Sequence, residues 1–139
     1  MSTRTDYGIR AMLELAQQYG RGPVQSHDIA SSQDIPEPYL NQLLTQLRKA
    51  GLISSRRGPG GGHCLAKPAS EVTVAELIVA LEGSLWPTDD TADPQRRPSC
   101  HALHELLQEL YRQSEQVLRS CTLADLLERE HRRAFVYHI

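Results

Sequence analysis

The sequence predicts a mainly α-helical chain with one two-stranded hairpin and a long helix towards its C-terminus. Three observations lead there. Apolar residues recur at helical spacing in several separate stretches, a glycine-rich run (GPGGG, 58–62) sits between two short strand-like segments, and Leu103, Leu107, Leu110, Ser114 and Val117 alternate by four and three. At 139 residues with 40% hydrophobic and 23% charged side chains, the chain has the composition of a folded domain rather than a disordered one.

The first helix is expected from about Thr5 to Tyr19, with Ile9, Met12, Leu13 and Ala16 on one face, and Gly20, Gly22 and Pro23 closing it. Ser26 is placed as the N-cap of a short helix, His27 to Gln33, whose Ile29 and Ala30 face the core. Asp34-Ile35 makes a turn. Pro36 and Pro38 suit the entry to a third helix, because proline is tolerated only in a first turn. That helix runs to Ala50, with Leu40, Leu43, Leu44 and Leu47 on one face and Asn41, Gln42, Thr45 and Lys49 on the other. Arg48 and Lys49 complement its C-terminal dipole and Gly51 takes the position just beyond.

Leu52 to Arg56 and His63 to Ala66 read as the strands of the hairpin. T-x-x-E at Thr73 to Glu76 is a capping box ahead of Leu77, Ile78 and Leu81, and Gly83 ends that fourth helix. Residues 84–100 are expected to form a loop with Pro87, Pro94 and Pro98, of a length that is uncommon in compact domains and marks a functional or a disordered segment. The long helix follows from about His101 to Arg119, and Thr122 caps a last one, Leu123 to about Arg133. The expected organisation is a head at 1–83, a loop and possible sensor segment at 84–100, and pairing helices at 101–139.

The formal charge of −2 hides an asymmetry. Residues 1–67 hold eight Lys/Arg against five Asp/Glu (+3), and residues 68–139 hold seven against twelve (−5). A basic head therefore coexists with an acidic second half, and the net charge does not exclude nucleic acid. No apolar run reaches membrane-spanning length, and MSTRTDYGIR has no stretch suited to secretion. Three scattered cysteines (Cys64, Cys100, Cys121) imply no disulfide framework, so a reducing cytoplasm is the expected location.

Helix, short helix, turn, polar-faced helix and hairpin, in that order, make a winged helix-turn-helix. In such modules the second helix of the pair enters the major groove, where Asn, Gln, Ser/Thr, Arg and Lys read base edges. Asn41, Gln42, Thr45 and Lys49 supply that set, and Arg56 and Arg57 flank a turn whose glycines bring backbone N–H groups near phosphate. The ordinary alternative is a solvated polar face and a hairpin that simply needs glycine. No P-loop Lys-Ser/Thr follows the GPGGG run, and no G-x-S-x-G, H-E-x-x-H or paired-cysteine motif is present, so catalysis is not expected. A protein-interaction adaptor using the acidic half is the remaining rival; binding to random duplex DNA at low salt separates it from a DNA binder.

The runs YLNQLL (39–44), LRKAGLI (47–53) and RRGPGGGHCLA (56–66) resemble the Rrf2 family of bacterial transcription regulators, as do Tyr7, Arg10-Ala11-Met12 and Leu15-Ala16 early on and TLADL (122–126) late. The resemblance covers nearly the whole chain. It implies a homodimeric winged-helix regulator on a pseudo-palindromic operator. The long helices would pair through Leu103, Leu107, Leu110 and Val117, Tyr39, Asn41 and Gln42 would stand on the recognition helix, and Arg57 and Gly60 on the wing.

Many members are described as iron–sulfur sensors with three cysteines clustered in the loop before the long helix. This sequence departs from that pattern: only Cys100 lies there. Cys100, His101 and His104 are the candidate ligands left, with Asp89, Asp90, Asp93 or a second subunit to complete a set. Three readings stay open: a polar helix junction with a free thiol, a [2Fe–2S] cluster with non-standard ligands, or zinc or thiol redox sensing. Without a cluster, control would fall to a small ligand or a partner protein. Of the other cysteines, one of Cys64 and His63 is expected to point inward, and Cys121 to be buried rather than reactive. Trp86 is expected to anchor the loop to the core.

Overall fold

Helix α1 spans Thr3–Gln17, beginning where the Ser2 hydroxyl accepts the Thr5 N–H at 3.3 Å. The structure is a computed structural model and describes residues 2–86 and 100–137. The buried face of α1 is Thr5, Gly8, Ala11, Met12 and Leu15, whereas Ile9, Leu13 and Ala16 pack only partly against the core. The expected apolar stripe is rotated, because two of the innermost positions are small. At Gly8 a Cβ would stand 2.4 Å from Leu81 Cδ1, so the close approach of the Leu81 side chain favours glycine there.

Helix α2 (Ser26–Gln33) starts one residue earlier than expected: Gln25 takes the cap position with no side-chain bond, and the Ser26 hydroxyl instead donates to Glu37 at 3.5 Å. Asp34 adopts the left-handed region (φ 54°), and the Ile35 N–H closes the turn on the Ala30 carbonyl at 3.0 Å. Helix α3 (Glu37–Lys49) buries Leu40, Leu43, Leu44 and Leu47, and Gly51 follows it at φ 78°. Each fully buried leucine contributes about 1.5–3 kcal/mol by leaving water.

Strands β1 (Ile53–Arg56) and β2 (Gly62–Leu65) pair antiparallel, from Ile53 opposite Leu65 to Arg56 opposite Gly62. Val24 adds a rung on the far side of β2, exchanging two 2.8 Å backbone bonds with His63. A single 3-10 turn (Ala69–Glu71) leads to α4 (Val74–Glu82), whose Thr73–Glu76 capping box forms in both directions and whose end is Gly83 at φ 89°. Helices α5 (His101–Ser120) and α6 (Leu123–Tyr137) complete the chain.

One core joins α1 to α4, the hairpin and the start of α6. Leu123 is fully buried in it, its N–H bonded to the Val72 carbonyl at 2.8 Å, while the Val74 N–H reaches the Cys121 carbonyl at 2.9 Å. The core of the first four helices and the hairpin is thus closed by a residue from the far end of the sequence. A second, reciprocal cap holds α6: Thr122 Oγ1 accepts the Asp125 N–H, and Asp125 accepts the Thr122 N–H at 2.9 Å. Helix α5 is the exception. None of its residues is buried, and Leu103, Leu106, Leu110 and Val117 are each more than half exposed.

Candidate nucleic-acid interface

The leucine face of α3 fixes which side of the helix looks out. Asn41 and Gln42 are exposed there, one turn ahead of Thr45, whose hydroxyl donates to the Asn41 carbonyl at 2.9 Å. With its proton engaged, that hydroxyl presents lone pairs and suits a base-edge donor such as an exocyclic amine. Tyr39 is half-buried, its ring edge-on to Tyr7 with centroids 5.8 Å apart, and Arg10 lies 5.7 Å over the Tyr7 ring while paired to Asp6 at 2.9 Å. Tyr39 is therefore braced from behind by α1. The start of α3 is tied to α2 as well, since Glu37 takes Ser26 at 3.5 Å and lies 3.6 Å from His27.

Lys49 is exposed at the end of α3, with Arg48 beside it; Arg56 ends β1 and Arg57 begins the turn, both exposed. Among the described residues no carboxylate pairs with any of these four cations, although Arg10, Arg112 and Arg119 all hold ion pairs within their own helices. Unpaired, clustered cations are what phosphate binding needs.

The turn between the strands is dictated by backbone crowding. A Cβ on Gly61 would lie 2.2 Å from the Arg56 carbonyl, and one on Gly62 would lie 2.6 Å from the Val24 carbonyl. Gly60 is different: it has φ +75° with open space around it, so it serves the turn's conformation and leaves the tip free for a close neighbour.

His63 is held within the hairpin by a cross-strand contact that its spacing does not reveal. Its Nδ1 is 2.7 Å from the Ser55 hydroxyl across the strands, and burial, with the nearby Arg48 charge, lowers its pKa from the ordinary histidine value. Strand β1 packs against α3, which brings the wing beside that helix. Arg48 was legible only as a dipole-compensating cation. Neither His63 nor Cys64 is fully buried; Cys64 pairs with Ser54 at 3.2 Å, so each faces a serine on β1 rather than the core.

The candidate metal ligands are less organised. Cys100 is exposed and occupies the N-cap of α5 in an extended conformation (φ −158°), so it stands outside the helix on which i, i+4 spacing would align it with His104. Their link is backbone, His104 N–H to Cys100 carbonyl at 3.1 Å. His101 is exposed and His104 half-buried. Among the described residues no three of His, Cys, Asp and Glu come together as a metal site. Cys121 is only half-buried and lies past the other end of α5, about 30 Å away along a helix of that length. A three-thiolate site within one chain does not fit this arrangement. Asp89, Asp90 and Asp93 lie outside the described residues, as does most of the predicted loop. Trp86 anchors elsewhere than expected: it stacks on Tyr111 of α5, centroids 5.0 Å apart and planes 21° apart.

Fold and surface together define a winged helix-turn-helix regulator, with polar side chains exposed on α3 and cations exposed on the hairpin. The chain belongs to the Rrf2 family, whose model, described as an iron-dependent transcriptional regulator, matches residues 1–129. It is 38% identical over 135 residues to the HTH-type transcriptional regulator IscR of Photorhabdus laumondii, covering 94% of this chain and 80% of that protein. The solved structure of T. potens IscR is similar with a TM-score of 0.77 and 36% identity, over 94% of this chain and 87% of the other. CymR, the global cysteine regulator of B. subtilis, gives a TM-score of 0.79 at 36% identity, over 92% and 95%. The protein is a DNA-binding transcription regulator that acts as a dimer, not an enzyme. No helix among the described residues is long and apolar enough to cross a membrane.

Proposed function

We propose that this protein is a cytoplasmic regulator whose two heads read a pseudo-palindromic operator. The observation that carries this reading is the outward face of α3, with Asn41, Gln42 and Thr45 available and Lys49, Arg56 and Arg57 unpaired beside it among the described residues. Gln42 and Asn41 each match adenine's paired edge, Tyr39 sets the depth of the helix start, and Gly60 lets the wing tip approach the backbone. Lys49, Arg56 and Arg57 neutralise phosphates and set salt dependence rather than sequence choice. Residues 1–83 with Leu123 form the reading head. Leu103, Leu107, Leu110 and Val117 pair α5 with its copy, and residues 84–100 join the two functions. Anisotropy titrations of labelled duplex test it: Arg57→Ala weakens binding to every sequence, and unchanged affinity removes Arg57 from the site.

For the signal, the family's description as iron-dependent motivates a [2Fe–2S] cluster, or less readily zinc, at Cys100, His101 and His104. With one thiol there, such a group needs further ligands from a second copy or from outside the described residues. An anaerobic absorption spectrum with iron and sulfide analysis tests this; a colourless, iron-free protein rejects the cluster. Control by a small ligand is the second reading, motivated by a cavity of about 810 Å³ between the head and α5.

A further inference from the structure

The cavity bounded by α1, α4 and α5 combines apolar walls with a single charged side chain among the described residues. Its volume of about 810 Å³ lies within the range of roughly 300–1,000 Å³ that small-molecule sites occupy. Ile78, Leu85 and Leu118 supply aliphatic surface, and Trp86 supplies an aromatic wall. That wall is held in place, stacked on Tyr111, with the Ser84 hydroxyl donating to the Trp86 carbonyl at 2.6 Å. Glu82 is the one ionisable residue in the lining among the described residues. Its Oε1 accepts hydrogen bonds from the Ser2 and Thr5 hydroxyls, and Thr5 is fully buried.

We propose that this cavity binds an amphipathic organic cation, a primary amine carrying an aromatic or branched apolar body. The body packs on Trp86 and the aliphatic wall, and the ammonium meets the Glu82 carboxylate. The hydroxyls of Ser2 and Thr5 lower the Glu82 pKa from its ordinary value, with Arg4 adding a smaller effect in the same direction, so the carboxylate stays ionised at neutral pH. Two hydroxyls leave further lone-pair positions on a carboxylate. Among the described residues the lining contains no Lys, Arg or His to receive an anion. The walls come from the head on one side and from α5 on the other, so an occupant spans the junction on which the spacing of two heads depends. This deepens the small-ligand reading above and rests on it only for the consequence at DNA.

Trp86 is the only tryptophan, so its emission reports on the cavity directly. The full-length dimer is titrated with 2-phenylethylamine, 2-phenylethanol and 3-phenylpropionate, which share a ring and differ in charge. The amine gives a saturable change, the alcohol and carboxylate bind more weakly by about tenfold or more, and Glu82→Gln removes the amine's advantage with the melting temperature unchanged. No saturable response to the amine overturns the proposal, and so does an equal response to all three probes. The first result also covers the case in which α5 of the second copy fills the cavity beside Val117. Should Glu82→Gln fail to fold, the ranking of the three probes on the unsubstituted protein decides alone. Random-duplex anisotropy run in parallel separates the two ideas: DNA binding with no amine response rejects only the cavity, and the reverse rejects only the DNA reading.

Discussion

The reading head and helix α5 solve opposite problems with the same residue types. In the head, Leu40, Leu43, Leu47, Leu77 and Leu81 are all essentially inaccessible, and the helices carrying them need nothing beyond their own chain. In α5 the leucines of a similarly regular pattern stay in water, Leu106 at 65% exposure and Leu110 at 55%. Periodicity alone says that a face will be buried. It does not say whether the covering surface belongs to the same molecule, and here the structure divides the two cases cleanly.

Substitutions in the two regions break that contrast in different ways. The largest effect is expected at Leu47→Ala, which destabilises the head by about 2–5 kcal/mol in urea unfolding, since the surrounding core cannot close the void. Leu110→Glu leaves the head folded by circular dichroism but shifts sedimentation from dimer to monomer and costs the avidity of the second half-site. A stable dimer in that variant would mean that α5 pairs through another face. Gln42→Ala changes neither fold nor assembly and relaxes base preference at one position per half-site, by about 1–3 kcal/mol in competition anisotropy. Arg57→Ala lowers the slope of log affinity against log salt by about 0.9 for each phosphate left without its cation, with sequence preference kept.

The smallest effect concerns pH. The folded pKa of His63 lies below its unfolded value, so the unfolded chain binds more protons between the two. Its contribution therefore costs nothing above the unfolded value near 6.5, and stability falls as pH drops through that value towards the folded one. Urea midpoints compared between pH 8 and pH 5 check it, with His63→Gln showing the shallower dependence.

Much of the fold was legible in the residues. Both prolines of the α3 entry, Gly51, the Thr73–Glu76 box, Gly83 and the Thr122 cap all stand where local chemistry placed them, because each acts within one turn of chain. What escaped was non-local. The inner face of α1 is carried by Thr5 and Gly8, which no hydrophobic pattern marks, and its reason is Leu81 more than seventy positions away. Leu123 joined the head core through a backbone bond to Val72 that spacing does not encode. The exposure of Asn41 and Gln42 follows from helix geometry, while the His63–Ser55 pair emerges only with the strand register. Cys100 takes the N-cap of α5 rather than a helical position, a boundary that residue spacing does not mark.

The two regions meet in one requirement, that paired α5 helices hold two α3 helices at a fixed separation on DNA. Selection of binding duplexes from a random pool by the purified protein tests this most directly. The account predicts an enriched site with two half-sites related by two-fold symmetry, spaced near a whole number of helical turns, and a loss of preference at one position in each half when Gln42 is replaced by alanine. Enrichment of a single asymmetric half-site, or no enrichment at low salt, would contradict it.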